Sequence, residues 1–145
     1  MRKWLKRIAE ILDHGFDWAR AIAKALKHFD EMQAALRAIT DLIRSLTRRI
    51  HQIQDQIEAF QRLLRDATEK LHAAELADDA AGMAQWTAEI ARIEGLIADA
   101  QRRIVALERR MAELTQEQQT AADAVAEARR QYDNARSEVG SPSDY

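Results

Sequence analysis

Apolar residues recur every fourth and third position from Trp4 to Leu71. The row runs Trp4, Ile8, Ile11, Gly15, Trp18, Ile22, Ala25, Phe29, Met32 and Leu36. It continues through Ile39, Ile43, Leu46, Ile50, Ile53, Ile57, Phe60, Leu64 and Ala67 to Leu71. No charged residue falls on it. A 3.5-residue apolar repeat held this long predicts a coiled-coil seam. A second row with the same spacing runs from Met83 through Trp86, Ile90, Ile93, Ile97, Ala100, Ile104, Leu107, Met111 and Leu114 to Tyr132. Between the rows, Ala77-Asp78-Asp79-Ala80-Ala81-Gly82 is the only credible turn. Gly82 offers free backbone there, and Asp78 or Asp79 can cap a helix. Two long amphipathic helices joined by a short turn predict an antiparallel hairpin. The expected fold is all-α: a long antiparallel coiled-coil hairpin with an N-terminal amphipathic helical extension.

Three regions follow from the pattern. Residues 1–29 form the N-terminal amphipathic segment. Residues 30–136 form the hairpin, with its tip near 78–82. Residues 137–145 end in Gly-Ser-Pro-Ser-Asp-Tyr and read as a disordered tail. Two breaks compete within the first arm. Gly15 between Asp13 and Asp17 could end a helix, and Asp30 with Gln33 resembles a capping box. The 4-3 pattern passes both sites in phase, which favours one helix from about residue 2 to 77. Gln118 is the polar residue on the second seam, a position that can set register.

The N-terminal segment has the broadest apolar face. Trp4, Leu5, Ile8, Ile11, Leu12, Phe16, Trp18, Ile22 and Leu26 share it, with Phe29 at its end. The arc is about 200° wide, more than a two-stranded seam needs. Lys and Arg lie opposite, and residues 2–28 hold seven Lys/Arg against three Asp/Glu, a balance of +4. With the second arm ending near Ala135, the first helix is covered only back to about residue 28. A face this wide and uncovered must meet another copy, another protein or a membrane surface.

Composition narrows the classes. Alanine, Glu, Gln, Arg and Leu dominate, and the sole proline is Pro142. The net charge of −2 argues against a dedicated nucleic-acid binder. No cysteine occurs, which excludes thiol chemistry and fits a reducing compartment. The expected location is cytoplasmic, free or peripheral to a membrane. No apolar run reaches 18 residues, and Glu10, Asp13 and Asp17 interrupt any signal-peptide core.

No site of chemistry emerges. Glu69 and His72 make one Glu-x-x-His pair, but a di-iron bundle needs a second such motif and two further inward glutamates. No Gly-rich phosphate loop or activated Ser appears. Paired arginines at 48/49, 102/103, 109/110 and 129/130 lie near Asp or Glu at helical spacing, as surface ion pairs do. The chain is expected to have no catalytic residues, cofactor or metal, and to bind no specific nucleic acid.

Across residues 2–135, an N-terminal amphipathic helix followed by a long hairpin resembles the bacterial phage-shock and ESCRT-like membrane-remodelling family. The likeness is one of architecture, and the family's further helices are missing. It implies a scaffold that assembles on membranes. In length and plan the chain is also similar to flagellar and type III secretion stalk proteins, which implies a soluble adaptor or chaperone binding a protein partner through residues 2–28. The leading expectation is a non-enzymatic, homo-oligomeric scaffold. If the seam is right, Ile50→Asp puts a charge in mid-hairpin and should cost several kcal/mol. A thermal melt by circular dichroism equal to wild type would rule out that pairing.

Overall fold

The computed structural model describes residues 2–139, apart from the side chains of residues 2, 3, 8–16, 138 and 139. Two helices make up almost all of it: α1, Arg2–Leu76, and α2, Ala80–Val139. Among the described residues there is no strand, and the two helices pack against each other as a helical hairpin. α1 passes Gly15 and Asp30 without a break. One glycine costs a helix only about 1 kcal/mol, less than the loss of an apolar row in phase on both sides.

The tip is compact. The Asp78 N–H donates to Glu75 O at 3.2 Å, and the Asp79 N–H donates to Ala74 O at 2.9 Å. This pair of bonds is a Schellman motif, which satisfies carbonyls left open at the end of α1. Asp78 takes the left-handed position the motif needs, with φ 53°. Asp79 then caps α2: its Oδ1 accepts the Gly82 N–H at 3.0 Å.

The sequence assigns the free backbone of the turn to Gly82, and here the structure differs. Gly82 is buried in the first turn of α2, and the left-handed residue is Asp78. Asp tolerates this conformation better than most side chains because its short polar group bonds locally. Gly82 serves by lacking a side chain. A Cβ there would run into the capping Asp79 carboxylate and lie 3.3 Å from Ala74 Cβ.

Contacts gather into two units: a tip unit, Leu42–Leu114, and a terminal unit of Met1–Asp41 with Thr115–Tyr145. In the tip unit Ala67, Ala74, Ile93, Ala100 and Leu114 are buried. Four lie on the 4-3 rows and Ala74 is the next step beyond Leu71, and small residues allow close helix approach. Beside them Lys70 Nζ sits 4.7 Å from the Trp86 ring centre and 3.1 Å from Asp66 Oδ2. Leu42 and Leu63, which widen the sequence pattern, are half exposed and lie off the core.

In the terminal unit Ala128 is buried. Gln118 Nε2 donates to Thr40 Oγ1 at 3.1 Å, and the Thr40 hydroxyl donates to Leu36 O at 2.9 Å. The polar seam residue thus has one cross-helix partner, a requirement that opposes slippage. Stepping on from this pair, Gln131 and Ala135 lie with Ala21, Lys24 and His28 around an open groove of about 560 Å³. α2 thus lies along α1 at least as far back as Ala21, beyond residue 28, and Trp18 is still half-buried. The second arm is also longer than its apolar row suggests. α2 runs to Val139, past the expected start of the tail at 137, because no breaker precedes Gly140. Residues 140–145 of that tail lie outside the described residues.

Two substitutions separate cap from propensity in urea unfolding. Asp79→Ala should cost about 1 kcal/mol through loss of the cap. Gly95→Ala should gain about 0.5–1 kcal/mol, since a Cβ at this exposed helical glycine meets nothing within 4 Å. Equal stability in both variants and wild type would contradict this account of the tip and of α2.

Candidate functional site

The segment that the sequence marks as an interaction surface forms the start of α1. Of the ten residues the sequence puts there, six have described side chains. Trp4 and Leu5 are 68% and 61% exposed, and Leu26 is 41% exposed. Trp18, Ile22 and Phe29 are half-buried. The side chains of Ile8, Ile11, Leu12 and Phe16 lie outside the described residues.

The single broad face of the sequence therefore divides in two. Trp18, Ile22, Ala25 and Phe29 follow the seam and are half-buried along it. Trp4 and Leu5 precede the stretch that α2 covers, and most of each side chain is open to water among the described residues. Lys6 and Arg7 beside them are exposed, as are Arg20, Lys24 and Lys27 further on. A Trp that leads an apolar face, flanked by cations, suits a surface that is apolar at its centre and anionic around it.

A second feature lies at the tip. Leu76, the last residue of α1, is 77% exposed. Glu75, Asp78 and Asp79 next to it are exposed as well. Residues 66–99 hold eight Asp/Glu against two Lys/Arg. Nothing in the 4-3 rows announces this patch, because neither the acids nor Leu76 fall on them. A running charge count would have found it.

The surface between these features is chemically quiet. Arg92 donates to both Glu89 carboxylate oxygens, at 3.1 and 2.5 Å. Those bonds lower the Glu89 pKa from its ordinary value and raise that of Arg92. Arg102 pairs with Asp99 at 3.4 Å, Arg110 with Glu113 at 3.1 Å, and Arg130 with Glu127. At least one arginine of the doublets 102/103, 109/110 and 129/130 is thus engaged by a carboxylate of its own helix. His72 lies 3.9 Å from Glu75, on the exposed surface. Among the described residues no group of three or more His, Cys, Asp or Glu could hold a metal ion. None of these residues forms a helix long and apolar enough to cross a membrane.

Compared with known protein families, curated proteins and solved structures, the chain matches none.

Proposed function

We propose that this protein is a non-enzymatic scaffold that self-assembles through its hairpin and the N-terminal segment of α1. One observation carries the proposal: Trp4 and Leu5 stand exposed at the start of α1. Two large apolar side chains side by side in water favour a partner, each worth about 1.5–3 kcal/mol when fully buried. The thin core adds support. Among the described residues only six hydrophobic side chains are buried, and four are alanine. Much of both seams stays half-buried in a single copy, and further copies would cover it.

A membrane surface is the second reading. The pairing of Trp4 and Leu5 with exposed Lys6 and Arg7 also suits an anionic interface, where Trp prefers the headgroup level. Without lipid the protein would then stay monomeric.

Light scattering after size exclusion tests both, with wild type beside Trp4→Glu/Leu5→Glu. The scaffold predicts concentration-dependent oligomers that the variant weakens by at least about tenfold. A wild-type monomer at every concentration would refute it. Flotation of that monomer with anionic vesicles, lost in the variant, would support the membrane reading instead.

A further inference from the structure

We propose that the uncovered start of α1 docks on the hairpin tip of a second copy. One chain carries both halves of such a contact. The first is Trp4 and Leu5 with Lys6 and Arg7 beside them, in a stretch of net charge +4 over residues 2–28. The second is Leu76 beside Glu75, Asp78 and Asp79, in a stretch of net charge −6 over residues 66–99. Each is an apolar centre with charge around it, and the charges are opposite.

The rest of the chain offers no comparable complement. Residues 30–65 hold six Lys/Arg and five Asp/Glu, and residues 100–139 hold seven of each. Only the tip has an excess of acid. An anionic membrane would also attract the basic start of α1, but it would repel the acidic tip and leave Leu76 in water. A second copy satisfies both patches. Burial of Trp4, Leu5 and Leu76 supplies the attraction, and the opposed charges select the orientation and speed encounter. The contact is heterologous, because a different patch of each copy is used. Every docked copy then presents a free start and a free tip, so association continues to a ring or a filament.

This contact presupposes the self-assembly proposed above, and one experiment separates the two. Sedimentation velocity would follow four full-length proteins over a concentration series in lipid-free buffer at low salt. They are wild type, Lys6→Glu/Arg7→Glu, Glu75→Lys/Asp78→Asn, and the chain with all four changes. Asn is chosen at position 78 because it accepts the left-handed backbone, and circular dichroism checks that each protein folds. Each pair alone should weaken association about tenfold. The four-change chain sets −2 at positions 6 and 7 against a tip trio 75, 78 and 79 taken from −3 to 0. It should therefore associate more tightly than the chain with Lys6→Glu/Arg7→Glu alone, and added salt should weaken wild type. Association unchanged by either pair, or no tighter with all four changes than with Lys6→Glu/Arg7→Glu alone, would overturn the tip contact while self-assembly stands. A wild-type monomer at every concentration would overturn both. Association only when anionic vesicles are added would assign the face to lipid and overturn the contact.

Discussion

The hairpin depends on Asp79. Its backbone N–H closes α1 on the Ala74 carbonyl, and its carboxylate opens α2 on the Gly82 N–H. One residue thus ends one helix and begins the next. The reversal takes only residues 77–79, which leaves little freedom in how the seams start to align. The tip also dictates its neighbours. Position 78 must tolerate a left-handed backbone, and position 82 must be small because the capping carboxylate occupies the space of a Cβ. In the terminal unit Gln118 and Thr40 add a polar pair that a slipped seam would break.

Two helices make a thin core. The buried hydrophobic residues fall at heptad intervals on one row of each helix: Ala67 and Ala74, and Ile93, Ala100, Leu114 and Ala128. The other row of each seam stays half-buried, because a pair of helices has no third element to cover it. Alanine in the buried row lets the backbones approach, but it buries little apolar area per residue. The same geometry that defines the hairpin leaves it with half-buried apolar surface along both seams. At the start of α1 the shortage is greatest, since Trp4 and Leu5 precede the reach of α2.

Much of this could be read from the chain. A 4-3 repeat across sixty-odd residues has one ready explanation, and from Trp18 to Leu71 every residue of the row is half-buried or buried. The turn was harder. Gly82 and Asp78 both belong to turn vocabulary, and only the hydrogen bonds show which one is left-handed. The end of α2 was hidden because the apolar row stops at Tyr132, whereas helix needs only the absence of a breaker as far as Val139. That end decides which part of the N-terminal face is covered. From periodicity alone Trp4 and Trp18 look alike, yet one is exposed and the other half-buried. The acidic tip escaped notice for a different reason: it lies in charge distribution, which a search for apolar rows ignores.

The central claim is that the start of α1 becomes buried when copies meet. Fluorescence of Trp4 alone tests it most directly, in a chain carrying Trp18→Phe and Trp86→Phe. Those two positions are half-buried, and Phe keeps an aromatic ring at each. Emission and acrylamide quenching would be followed as protein concentration rises in lipid-free buffer. The account predicts a shift to shorter wavelength and a loss of quenching as copies associate. Emission that stays long and fully quenchable while the protein assembles would contradict it.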